Sequence, residues 1–250
     1  MAVANLDRRR LRENTAKSRQ GRARLAKRLL GLTLATHLAA CVSPGPTAGP
    51  LARTAGWFDY LGGGDIRAAC RRNGTERYRA VYNAVYSEQV RTYDIVLPRA
   101  GETSVLVARV FQGTVVIDRD PDPGKGIVGT RARTFLSAEQ TSAIREAFAA
   151  AGAFQPDRDR LFLRSDTFYW TVATCSGGRF NFRAFKAPPD ELSRLAFAQA
   201  LFRVDETGAA VRQPRLTPAD RRTNFGKISE PDSPGGAPVF ELEAGPSGLR

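Results

Sequence analysis

Residues 166–185, DTFYWTVATCSGGRFNFRAF, read as two strands joined by a glycine turn, and the fold class hangs on them. Asp166 to Cys175 is rich in β-branched and aromatic residues, Ser176-Gly177-Gly178 supplies the reversal, and Phe180 to Phe185 returns. Apolar side chains fall on both faces of this hairpin, which predicts a central place in a sheet. Phe168, Trp170, Phe180 and Phe182 are a candidate aromatic lining for a ligand groove, with core packing the simpler expectation.

Upstream of the hairpin, Tyr78 to Tyr86, Gln89 to Leu97 and Ser104 to Phe111 carry the same strand composition. Tyr93, Ile95 and Leu97 share one face of the second, and Arg91 interrupts the alternation. Ser137-Ala138-Glu139-Gln140 fits a capping box and opens a helix striped by Thr141, Ile144, Phe148 and Ala151, with Gly152 as its stop. Pro188-Pro189-Asp190-Glu191 opens a second helix, whose apolar positions are Leu192, Leu195, Phe197, Leu201 and Phe202. Strands, helix, hairpin, helix is an α+β order. It predicts one domain over residues 56–205, an antiparallel β-sheet with two main helices packed on one face.

On the N-terminal side, Trp57-Phe58-Asp59-Tyr60-Leu61 is followed by Gly62-Gly63-Gly64, read as a turn, and Asp65, read as the N-cap of a short helix to about Arg71. The glycines lack the Gly-Lys-Ser/Thr ending of a phosphate loop. Asp118-Arg119-Asp120-Pro121-Asp122 spaces three carboxylates at alternate positions. Pro123 and Gly129 then stand where a calcium loop needs Gly and Glu, so a proline-rich loop is expected instead. From residue 206 to residue 250, prolines and glycines predict a disordered tail.

The first forty residues have another logic. Residues 1–28 hold ten basic residues against Asp7 and Glu13, which accounts for +8 of the chain's net charge of +13 and leaves +5 for the rest. Residues 29–40 are apolar and too short for a spanning helix, which needs about 20 residues. Basic lead, apolar run and small residues are the layout of an export signal. A nucleic-acid-binding arm would explain the charge and leave the apolar run unexplained, so no nucleic-acid partner is expected. Leu38-Ala39-Ala40-Cys41 resembles the lipobox of bacterial lipoproteins. That resemblance implies lipidation of Cys41, removal of residues 1–40, a flexible tether over 41–55 and a membrane partner through the lipid anchor. The address it implies is the cell envelope facing the periplasm, with the outer membrane preferred to the inner. From Arg91 to Phe202 the pattern also resembles small secreted bacterial domains of unknown function, which implies a fold and an envelope location and carries no catalytic residue across.

The chain has three cysteines. With Cys41 taken by lipid, Cys70 and Cys175 remain, either bridged in an oxidising compartment or present as two thiols. A bridge would close about 100 residues, worth roughly 4–5 kcal/mol in the chain-entropy model. The one histidine, His37, lies in the apolar run. A chain cut before Cys41 would have none, which removes Ser-His-Asp and Cys-His machinery and His-ligated zinc. No cofactor or metal is expected. The favoured function is a binding or structural role toward an envelope protein or an anionic polymer. The alternative is an envelope hydrolase using carboxylates or a Ser/Lys pair, for which Ser176 and Lys186 are the candidates.

Overall fold

The computed structural model describes residues 50–97, 103–113, 116–117, 127–156, 160–223, 239–245 and 248–249. All fall in one compact unit, residues 48–250. The lipobox, Cys41, His37 and the carboxylate-rich loop at 118–122 lie outside the described residues.

The architecture is α+β. Six antiparallel strands form the main sheet in the order β6-β3-β2-β1-β8-β9: β1 (Glu76–Ala84), β2 (Gln89–Leu97), β3 (Ser104–Gln112), β6 (Thr130–Leu136), β8 (Phe168–Ser176) and β9 (Arg179–Phe185). Two-residue strands β4 (Val116–Ile117) and β5 (Ile127–Val128) pair between β3 and β6. The hairpin at 166–185 is half central, since β8 lies between β1 and β9, whereas β9 is an edge strand. Both are still covered on their two faces, which is why their composition reads as interior.

One face of the sheet is sealed by α3 (Ala138–Ala150) and α5 (Ala196–Arg203), the two main helices. The capping box is present: Gln140 N–H donates to Ser137 Oγ and Ser137 N–H to Gln140 Oε1. Gly152, at φ 70°, lets Ala153 N–H reach back to Phe148 O and stops the helix. The second helix is not continuous. It breaks into α4 (Pro189–Ser193) and α5, because Leu195 is extended between them. Under these helices Trp170 stacks on Tyr82 at 4.7 Å and meets Phe197 edge-on at 5.2 Å.

The other face has its own core, built in part from segments whose composition predicts a tether and a tail. Residues expected to belong to a tether begin α1 (Pro50–Gly62), and α2 (Gly64–Asn73) follows at once. Between them Gly63 is left-handed at φ 69°, and a Cβ there would come within 2.3 Å of Ala173 Cβ, so the position needs glycine. Gly63 is also the N-cap. Asp65 sits inside the first turn and does not cap. Cys70 of α2 and Cys175 of β8 form a disulfide, both buried in this second core.

The tail expected to be disordered is ordered over its described parts. After α5, Asp205 accepts from Arg91 Nη1 at 2.6 Å and Tyr93 Oη at 2.7 Å, and Ala209 O and Ala210 O take Arg91 Nη2 and Gln89 Nε2. Arg91, the residue that spoiled the strand's alternation, is fully buried and holds this segment to the sheet. A short α6 (Pro218–Thr223) follows. Further on, β10 (Glu241–Gly245) pairs with β7 (Leu161–Arg164) and with β11 (Gly248–Leu249), burying Leu242 and Ala244 in the second core.

Candidate binding face

In an antiparallel sheet, residues directly opposite each other point to the same side, so the register lays out each face as rows. On the face carrying the second core, one row runs Phe135, Val105, Val96, Arg77, Cys175, Phe180. The next runs Arg133, Val107, Asp94, Arg79, Ala173, Phe182, and a third begins Arg131, Arg109, Thr92. The helices α1 and α2 and the small sheet pack on β1, β8 and β9. The other end of each row stays open: Val96, Val105 and Val107 are half-buried, Arg131 and Arg133 are exposed, and Phe135 is 63% exposed.

The border between covered and open halves is ionic. Arg79, buried, donates from Nε to Asp94 Oδ1 at 2.6 Å, from Nη1 to Asp65 Oδ1 at 2.7 Å and to Tyr60 O at 3.0 Å, and from Nη2 to Asp65 Oδ2 at 3.0 Å. Its guanidinium lies 3.7 Å above the Tyr60 ring, and Tyr60 Oη donates to Asp94 Oδ2 at 2.6 Å. Arg109 Nη1 adds a contact to the same oxygen at 3.1 Å. Burial alone would raise the Asp94 carboxyl, but Arg79, the Tyr60 hydroxyl and Arg109 outweigh it and hold it below the ordinary carboxylate range. Burial, reinforced by Asp94, pushes the Tyr60 hydroxyl up. An aspartate kept ionised beside a phenol kept protonated is not an acid–base pair for catalysis near neutral pH. Among the described residues, five arginines (Arg77, Arg79, Arg109, Arg131, Arg133) meet Asp94 and Asp65 across these rows, so positive charge is in excess there around an apolar strip.

No family model matches the chain, and no curated protein or solved structure is similar to it. The site therefore rests on its own geometry.

The hydrolase candidates are not brought together. Ser176 starts the β8–β9 turn and approaches Glu76 Oε1 at 3.4 Å, whereas Lys186 follows the far end of β9 and donates to Phe162 O at 3.0 Å. Seven residues of strand separate the two positions, about 20 Å. The supposed aromatic lining also divides: Phe168 and Trp170 lie in the core under α3 and α5, Phe180 and Phe182 in or against the other. Among the described residues no cluster of His, Cys, Asp and Glu is arranged to hold a metal. A 590 Å³ cavity opens along β9, with Arg183, Lys186 and Glu191 on its wall. Its cations have structural duties, Arg183 Nη1 donating to Gly152 O at the end of α3 and Lys186 to Phe162 O.

Thr130–Leu136, the strand that borders the open face, is not among the strands the sequence predicts. The signal was present in Arg131-Ala132-Arg133-Thr134-Phe135, a period-two alternation whose outer members are charged rather than apolar. Asp65 is expected as an N-cap and Asp94 carries no signal, and their shared partner Arg79 becomes visible only through strand pairing.

Proposed function

We propose that the chain is a lipid-anchored binding domain of the bacterial cell envelope, tethered through Cys41 and facing the periplasm. The observation that carries this reading is the Cys70–Cys175 disulfide, which uses the two cysteines left once Cys41 is assigned to lipid. Such bridges persist in oxidising compartments and are rare in the cytosol. The basic lead and apolar run before Cys41 supply the export signal that the bridge calls for.

The start of α1 at Pro50 shortens the tether from the 41–55 expected to the residues between Cys41 and Pro50. Nine residues span at most about 30 Å, so an anchored domain would work close to the bilayer surface. The sheet's open, arginine-bordered half supports a binding role, with an envelope protein or an anionic polymer as the partner. The test is metabolic labelling with radioactive palmitate, followed by membrane fractionation of wild-type and Cys41→Ala cells. Label and membrane retention should both vanish in the variant. Label that persists in Cys41→Ala would refute the anchor.

A further inference from the structure

β6 ends the main sheet, and among the described residues no strand pairs with its outer edge. Free edges are usually blunted by charged side chains, above all lysine, or by proline, a bulge or shortness. β6, seven residues long, has neither lysine nor proline, and its charges are Arg131 and Arg133. On its open side stand Arg131, Arg133 and Phe135, and the Arg133 guanidinium lies 5.2 Å from the Phe135 ring. Neither Arg131 nor Arg133 has an ion-pair partner among the described residues, whereas Arg77 and Arg109 are held by Asp65 and Asp94. Arginine, unlike lysine, offers a planar fork that takes a carboxylate in two hydrogen bonds.

Resting on the binding role proposed above, we propose that β6 accepts an acidic, extended segment of another protein as a seventh strand. Backbone pairing along the edge would give affinity, and the side-chain period of two would give the sequence preference. The fitting segment carries two carboxylates two residues apart, opposite Arg131 and Arg133, and an apolar side chain two positions further, opposite Phe135. A second copy of the chain is disfavoured, because antiparallel registers centred on Ala132 or Arg133 set arginine against arginine. A lipid surface would satisfy the arginines but not the edge amides and carbonyls that no described strand pairs, which call for an in-plane strand.

The experiment titrates the full-length chain in detergent with a fluorescent peptide in which Asp alternates with Val and which ends in Leu. A peptide of equal composition with its aspartates adjacent is the control. The alternating peptide should bind saturably, slow amide exchange across residues 130–136, and bind about tenfold or more tightly than the control. Arg131→Glu with Arg133→Glu should weaken it by at least about tenfold, Arg131→Gln with Arg133→Gln by less, and Arg203→Glu on α5 not at all. The exposed arginines can be changed without loss of fold, which an unchanged thermal midpoint verifies. Equal affinity for the two peptides, indifference to the charge reversals, or self-association through β6 would overturn the proposal. So would arginine-dependent binding to phosphatidylglycerol vesicles with no peptide binding. Because the titration does not depend on lipid at Cys41, its failure is separable from failure of the palmitate labelling.

Discussion

Replacing Arg79 by Met should be the most damaging single change on the second face of the sheet. The side chain is buried, and its Nε, Nη1 and Nη2 make four hydrogen bonds, three of them to the carboxylates of Asp94 and Asp65. Methionine fills much of the same space but leaves both aspartates without their main counter-ion. Among the described residues, Asp94 would keep only Tyr60 and Arg109, and Asp65 only Arg77 at 3.5 Å. Removing one partner of a buried ion pair costs about 3–5 kcal/mol, chiefly because the other charge remains buried. For a domain of this size that is a fall of roughly 6–20 °C in thermal midpoint. Urea unfolding followed by tryptophan fluorescence measures it, since Trp57 and Trp170 lie in the two cores. Arg79→Lys should lose less than Met but more than a surface change, because an ammonium cannot serve Asp94 and Asp65 as a fork does. Arg79→Met combined with Asp94→Asn and Asp65→Asn should recover part of the loss. A cost below about 1 kcal/mol for Arg79→Met would refute the claim that this network holds the helices α1 and α2 to the sheet.

Cys70→Ser should cost about 4–5 kcal/mol from loop closure and should slow migration on a non-reducing gel; unchanged mobility would mean that the thiols are free. Stability should fall in acid with a definite sign. Asp94 and Asp205 both titrate below their ordinary value when folded, so their contribution is present above the unfolded carboxyl pKa, about 4, and is lost as pH falls through the folded one. Urea midpoints should hold level from pH 7 to about 5 and then drop, with Asp205→Asn flattening the drop; the opposite slope would contradict the assignment. Ending the chain after Thr223 removes β10 with buried Leu242 and Ala244 and uncovers Leu163, a loss of about 2–4 kcal/mol by calorimetry, where a disordered tail would cost nothing.

The parts of the fold that were legible are those where local chemistry and tertiary role agree. The capping box at Ser137, the stop at Gly152 and the turn at Gly177-Gly178 require particular residues at particular backbone angles, and those residues announce themselves. The parts that were not legible are held by partners distant in sequence. Glu241–Gly245 is a strand only because β7 offers it an edge, so its flanking prolines and glycines pointed to disorder. Residues 50–62 form a helix that stacks Trp57 on Tyr60 and sets Trp57 against Phe111, a distant partner that the sequence beside a proline- and glycine-rich stretch does not advertise. The same holds for the binding face. Arg131 and Arg133 carry no sequence expectation, and only the register aligns them with Arg109 and Val107 at the open end of each row.

Intact and peptide mass spectrometry of the protein extracted in detergent from its own cells tests the central claim most directly. The expected result is an N-terminal peptide that begins at Cys41 and carries acyl mass, together with a Cys70–Cys175 linked pair that separates on reduction. A mature chain still beginning at Met1, with Cys41, Cys70 and Cys175 all alkylated as free thiols, would contradict it.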